Sequence, residues 1–394
     1  MKRVSEIPIL RFSEFDDNYT KLSFGDVYSS LPTGMTPSRA KKEFYTGEIP
    51  WITSGELDYN EIFETNENIT EDAVKKTNLK IYPRGTLFIA ITGLEAPGTR
   101  GRCAINAVPA TTNQSCMAFQ NNDIFKTKFL YYWYLQNGVR LYFKYAQGSK
   151  QQSFNAGLVK SFKLSIPSLP EQQKIAAFLT LVDKRIELLE KKNILLETYK
   201  KGVLKKIFNQ EIRFKDDNGN EFPDWEEKRL GEVCKIQKGK QLNKSELIDT
   251  GEYPAINGGI NPSGYTDEWN TVADTITISE GGNSCGYVNY IKTNFWCGGH
   301  CYSLLEIQNY LQKVYLFEYL KFRESSIMNL RVGSGLPNIQ KREIDSFHIL
   351  IPSINEQKTI SSFLSTIGNQ IELLETQIDK SKTWKKGLLQ KMFV

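Results

Sequence analysis

Histidine is almost absent from this 394-residue chain, which holds only His300 and His348. A His-based triad or a multi-histidine metal site is nearly excluded by that count. Cysteine is scarce as well. Six in a chain of this length do not make a disulfide framework, and free thiols are expected. No long apolar run exists. The longest, Thr86–Thr92, falls far short of the ~18 residues that a membrane span requires. The N-terminus lacks the apolar core of a signal peptide, so a cytoplasmic protein with no membrane partner is expected. Neither sign of charge dominates: 50 Lys and Arg against 45 Asp and Glu leave +5, compatible with nucleic acid without demanding it. With 40% hydrophobic and 24% charged residues the composition is that of a globular protein, and the length suggests two or three domains.

Catalytic and cofactor motifs are missing too. Lys238-Gly-Lys240 lacks the spacing of a phosphate-binding loop, and no G-x-G-x-x-G sits at a strand-to-helix turn. Asn261-Pro-Ser-Gly264 lacks the second proline and the aromatic that an amino-methyltransferase stacks on an extruded base. Pro223–Lys228 has the letters of a metal-dependent nuclease site, but consecutive residues do not converge on a metal, and a solvated turn is expected there. Cys297-Gly-Gly-His-Cys301 has zinc-ligand types without a partner cluster, and is read as buried thiols beside a loop histidine. No catalytic residue, bound cofactor or metal is therefore expected in this chain.

What is present is a repeat at an offset of 185 residues. Ile166–Phe208 returns without a gap as Ile351–Phe393, with 20 of 43 positions identical. Each copy opens on Ile-Pro-Ser-x-x-Glu-Gln, where Ser168 with Glu171, and Ser353 with Glu356, have the spacing of a helix capping box. Apolar residues then follow a 4,3 spacing. They are Ile175, Leu179, Val182, Ile186, Leu189, Leu196, Val203 and Ile207 in the first copy, and Ile360, Leu364, Ile367, Ile371, Leu374, Ile378, Leu388 and Met392 in the second. That is a coiled-coil seam, interrupted at Asn193, Lys200, Ser381 and Lys385. Residues 174–208 alone hold nine Lys and Arg against four Asp and Glu.

A second echo precedes each domain. Leu10-Arg-Phe12 followed by Lys21–Val27 returns as Ile212-Arg-Phe214 followed by Asp224–Val233. The expected organisation is an N-terminal arm (1–20), a first domain (21–165), a central helix (166–210), a linker (211–227), a second domain (228–350) and a C-terminal helix (351–394). Both domains are rich in Gly, Asn, Thr and aromatics. Each places a strand, a Gly-rich loop (Gly93–Arg102 or Glu280–Cys285) and another strand ahead of a helical stretch (Phe125–Tyr145 or Leu311–Met328). The fold class expected is α+β: two mixed α/β domains with β-rich cores, a pair of long antiparallel coiled-coil helices between them, and pseudo-two-fold internal duplication.

Two variable domains, each followed by Ile-Pro-Ser-x-x-Glu-Gln and a long helix ending Lys-Lys-Gly-x-Leu-x-Lys-x-Phe, resemble the specificity subunit of type I restriction-modification systems. The resemblance covers essentially the whole chain. It extends to Pro109–Gln114 and Gly333–Asn338, while Trp296–His300 stands where the second domain lacks a counterpart of Ala110–Gln114. It implies a non-catalytic reader of double-stranded DNA, each target-recognition domain taking half of a split, asymmetric site. The partners implied are two methyltransferase subunits on the helices and restriction-translocase subunits in the full complex, with S-adenosylmethionine, ATP and Mg²⁺ on those partners. Discrimination should come from bidentate side chains on Gly-rich loops. In the first domain the expected DNA-contacting residues are Arg100, Arg102, Asn113, Gln114, Lys150, Gln151 and Gln152. In the second they are Lys238, Lys240, Asn257, Asn283, His300, Arg331 and Ser334. Two alternatives compete: a stand-alone DNA methyltransferase or nuclease, and a coiled-coil adaptor that binds only proteins.

Overall fold

The computed structural model describes residues 7–148, 152–333, 335 and 337–394. The chain forms two compact units, one comprising residues up to Glu190 together with Thr376–Val394, the other Lys191–Glu375. Each long helix is therefore shared between them. The first long helix spans Leu169–Phe208 and the second Ile354–Met392. Both begin just after Ser168 or Ser353, because the Ile before the Pro closes a strand, Lys163–Ile166 in one copy and His348–Ile351 in the other, and a residue before proline is kept extended. The first helix ends near Gln210, whose φ of +58° breaks the helical path.

The expected capping box is only half made. Ser353 Oγ accepts from the Glu356 amide at 3.3 Å, but the Glu356 carboxylate does not turn back to the cap. It takes Arg213 instead, with Nε to Oε1 at 3.2 Å and Nη2 to Oε2 at 2.8 Å, and the Trp225 indole N–H at 3.1 Å. In the other unit Glu171 takes Arg11 through two bonds of 2.8 Å, with the Tyr19 hydroxyl at 3.1 Å. Both glutamates are fully buried. A buried carboxylate needs a bidentate cation more than an N-cap needs a second acceptor, so the arginine of each arm wins. The next residue completes the joint. Gln172 accepts from the Lys126 amide and donates to the carbonyls of Ile124 and Pro167, all at 3.0 Å. Gln357 repeats this with Gln312, Tyr310 and Pro352 at 2.8–3.0 Å.

Within each unit the helices run antiparallel. In the first, Asp183 meets Lys385 at 2.6 Å and Glu190 meets Lys382 at 2.7 Å. Ile175, Leu179, Val182 and Ile186 share one core with Leu388, Met392 and the first domain. In the second, Ile207 and Phe208 share a core with Ile360, Leu364 and the second domain. The Leu10 amide donates to the Lys391 carbonyl at 2.9 Å, so the C-terminus lies beside the N-terminal arm.

The seam lysines have acid partners, and the acids sit in different places. Lys385 pairs with Asp183 of the facing helix, which also accepts the Tyr132 hydroxyl at 2.7 Å. Lys200 pairs with Glu318 of the domain helix at 2.8 Å. Its facing-helix neighbour is Gly368, the repeat equivalent of Asp183, where a Cβ would lie 3.7 Å from Lys200 Nζ.

Each domain is tied shut by a two-stranded antiparallel pair, Thr20–Ser23 with Lys163–Ile166 and Glu226–Arg229 with His348–Ile351. Inside, three strands are common to both copies. Leu87–Ala90 lies between Cys103–Asn106 and Cys116–Phe119, as Thr275–Ser279 lies between Val288–Ile291 and Cys301–Leu305. The fourth strand is added on opposite edges, Glu61–Ile62 beside Cys103–Asn106 in the first domain and Lys235–Lys238 beside Cys301–Leu305 in the second. The expected helical stretches are Thr127–Tyr145, and Lys313–Phe322 followed by Glu324–Met328. All six cysteines are buried and unpaired. Among the described residues no helix is long and apolar enough to cross a membrane.

The exchange of acids around the seam lysine gives a test. Glu318→Gln is expected to destabilise the protein by about 1–2 kcal/mol, since it weakens a charged hydrogen bond to a partly exposed lysine. Adding Gly368→Asp should recover much of that loss by supplying the acid in its sister position. Urea denaturation of the single and double variants measures it; additive, unrescued losses refute the equivalence.

Candidate nucleic-acid interface

Both domains gather their Gly-rich loops at the end of the central strand, and the two gatherings share one backbone frame. Ile91 follows the central strand of the first domain. Its amide donates to the Ser115 carbonyl at 2.9 Å, and its carbonyl accepts from Phe154 at 2.8 Å. Glu280 follows the central strand of the second. Its amide donates to the His300 carbonyl at 2.9 Å, and its carbonyl accepts from Ile339 at 2.8 Å. A parallel strand pair stands beside each: Ile49–Ile52 with Thr111–Thr112, and Tyr253–Ile256 with Trp296–Cys297. The Asn113 amide bonds the Ile52 carbonyl at 3.0 Å, as the Gly298 amide bonds that of Ile256 at 2.8 Å. Trp296–His300 is therefore the structural counterpart of Thr111–Ser115, although no letters match; the lack of a counterpart expected from sequence is corrected.

In the first domain most of the expected residues are drawn into the loop scaffold. The Arg100 guanidinium donates to the carbonyls of Leu94 and Glu95 at 3.0 and 2.8 Å and lies 4.3 Å over the Tyr142 ring. Tyr142 bonds the Gln152 side chain, and the Gln152 amide donates to Glu95 Oε2 at 2.9 Å. Arg100 and Gln152 are thus joined through Tyr142 and Glu95, two residues that sequence patterning did not single out. Arg102 bonds the Gly98 carbonyl across the base of the same loop. Asn113 folds back to accept from the Ser115 amide at 3.0 Å, and exposed Gln114 accepts from the Thr36 hydroxyl at 2.7 Å. Lys150 and Gln151 lie outside the described residues.

In the second domain the expected residues converge on a group that was missed. Glu280 Oε1 accepts from Lys238 Nζ at 2.5 Å and from the Tyr302 hydroxyl at 3.1 Å, and Oε2 faces His300 Nδ1 at 3.5 Å. Burial, with Glu280 alongside, raises the Tyr302 pKa, so its phenol stays a donor. Asn257 Oδ1 accepts from the His300 amide at 3.2 Å. Glycines let these loops approach: a Cβ at Gly298 would lie 2.4 Å from Asn257 Oδ1, and Gly258, at φ +85°, would place one 2.4 Å from the His300 carbonyl oxygen. Lys240, Asn283 and Arg331 are exposed on neighbouring loops, the last tied in where Val332 and Gly281 both bridge to Asn338. Ser334 lies outside the described residues. The Cys297 and Cys301 thiols donate to the carbonyls of Cys301 and Tyr302, and the His300 ring turns away to Glu280. Among the described residues no three His, Cys, Asp or Glu side chains are grouped to hold a metal ion.

The model of the type I restriction modification DNA specificity domain matches residues 17–198 and again 223–381. The chain belongs to the type I restriction-modification DNA specificity family. It thereby serves DNA sequence recognition within a restriction-modification complex. This specificity chain is 28% identical over 393 residues to the MjaIX specificity subunit of Methanocaldococcus jannaschii, covering 91% of this chain and 89% of that one. It is 25% identical over 383 residues to the EcoprrI specificity subunit of Escherichia coli, covering 90% and 88%. In fold it resembles the crystal structure of the S subunit from M. genitalium, with a TM-score of 0.67 at 19% identity over 98% of this chain and 99% of that one.

Because Arg100 clamps its own loop, Arg100→Ala is expected to speed amide exchange across Gly93–Arg102 while leaving the Leu87–Ala90 strand protected. Hydrogen-exchange mass spectrometry reads both, and unchanged loop exchange refutes the clamp.

Proposed function

We propose that each domain reads one half of a bipartite, asymmetric site on double-stranded DNA, and that the paired helices fix the unread spacer between the halves. The observation that carries this reading is the single backbone frame built twice with different side chains at the same loop positions. One scaffold with two side-chain sets suits two readers of different sequences, since phosphate contacts position a protein while base-edge contacts specify. Gln114, Lys238, Lys240, Asn257, Asn283, His300 and Arg331 are the described groups best suited to reach DNA. Arg100, Arg102, Asn113 and Gln152 shape the loops that present them. Lys150, Gln151 and Ser334 complete the set on sequence grounds.

The chain is non-catalytic in this reading. Two methyltransferase subunits carry S-adenosylmethionine, restriction-translocase subunits carry ATP and Mg²⁺, and the complex works in the cytoplasm. Exposed apolar side chains on the long helices offer partner subunits a surface: Leu181, Leu188 and Trp384 in the first unit, Leu195 and Leu373 in the second. A helix of 40 residues is about 60 Å long at ~1.5 Å per residue, against ~34–36 Å for one DNA turn. Inserting four residues within Lys191–Glu197 is expected to lengthen the spacer with both half-sites kept. Methylated-adenine mapping after co-expression with the methyltransferase subunit tests this, and an unchanged recognition sequence refutes the ruler. Purified chain given DNA, S-adenosylmethionine, Mg²⁺ and ATP should show no turnover; methylation or cleavage without partners favours the stand-alone enzyme.

A further inference from the structure

We propose that Glu280 is a specificity-positioning residue of the second domain, holding His300 and Lys238 in the arrangement that reads the second half-site. The inference rests on the half-site reading above and adds to it a residue and a role. Its basis is the sister domain. Hydrogen bonds and strand register equate Glu280 with Ile91, His300 with Ser115, Tyr302 with Met117 and Lys238 with Thr33. The first domain folds around this frame with Ile91 and Met117 buried and apolar. The frame therefore does not require an acid, a phenol or a cation at these places. The second domain has all of them together, and they bond to one another.

An acid in a nearly closed position, with a side chain 12% exposed, is costly unless paired. Glu280 Oε1 is paired with Lys238 and with the buried Tyr302, Oε2 faces His300 at 3.5 Å, and two of these neighbours are exposed: the Lys238 side chain is 50% exposed and that of His300 61%. The carboxylate thus orients two groups that face solvent. Tyr302 holds the carboxylate from the inner side, its hydroxyl between Glu280 and the Ile339 carbonyl at 3.2 Å. With Nδ1 facing Glu280 Oε2 across 3.5 Å, His300 keeps Nε2 for another partner, and an imidazole set against a carboxylate on one side presents that nitrogen on the other. A base edge is such a partner, because discrimination in the major groove depends on where donors and acceptors are fixed. Glu280 itself reads no base in this scheme. It acts through His300.

The test uses the full chain assembled with its methyltransferase subunits and a randomised duplex library, sequencing what is retained. Wild type should enrich two half-sites. Glu280→Gln should lower preference roughly ten- to hundred-fold at one or two positions of one half-site, leaving the other half-site intact. His300→Ser, which installs the sister residue, should affect the same positions, and the double variant should be little worse than either single one. Glu280→Ile is the control for folding, since isoleucine occupies this frame in the first domain; it should keep the thermal midpoint and lose the same preference. The proposal is overturned by an unchanged enriched sequence in both Glu280 variants, by equal losses at both half-sites, or by additive effects of Glu280 and His300. A wild-type complex that enriches no sequence refutes the half-site reading itself, a result separable from all of these.

Discussion

Each half of this molecule is organised around one buried ion pair, Arg11 with Glu171 and Arg213 with Glu356. The carboxylates are excluded from water at the first turn of each long helix, and a charge in that position is tolerable only with a cation fixed against both oxygens. The arginine lies 160 residues away in one copy and 143 in the other, so the pair joins the leading arm to the helix that leaves the domain. Once that joint is made, the adjacent glutamine ties the domain helix to the same point, and the short strand pairs close the domain between arm and exit. The loops that face outward are thus held by a base that contains none of them.

This division of labour explains where the two copies agree. They agree in the arm, the closing strands, the Glu-Gln pair and the helical seam, which must satisfy the same buried charges and fill the same core. They diverge in loop length and in side chains at the end of the central strand. Ile91 and Glu280 differ by 189 in number, while Ser115 and His300 differ by 185, so a four-residue change in loop length separates them. The seam lysines follow a looser rule. The cation is kept in both copies, while its acid has moved from the facing helix to the domain helix, because either position neutralises the same charge.

Much of this was legible in the residues. The duplication, the two long helices, the order of strand, loop and strand, and the family all follow from spacing and identity, and most seam residues are buried or half-buried as the 4,3 spacing requires. The capping motif was misread in part because Ser-x-x-Glu spacing is local, and a local pattern cannot reveal an arginine that arrives from another part of the chain. The glycine-rich loops were legible, but not the bonds that their side chains make. Arg100 is an exposed-looking cation on a glycine-rich loop, yet its guanidinium is engaged by its own loop carbonyls and Tyr142.

The sequence by itself determined that one unit of arm, domain and helix is used twice, since repetition at fixed spacing survives wherever the same core must be filled. Only the tertiary structure decided which residues of the two domains correspond. Correspondence there is set by main-chain hydrogen bonds, which are indifferent to side chain, so Trp296–His300 can occupy the place of Thr111–Ser115 with no letter in common. It also decided that Glu280 stands at the centre of the second group, because the three side chains that meet it come from separate strands and loops.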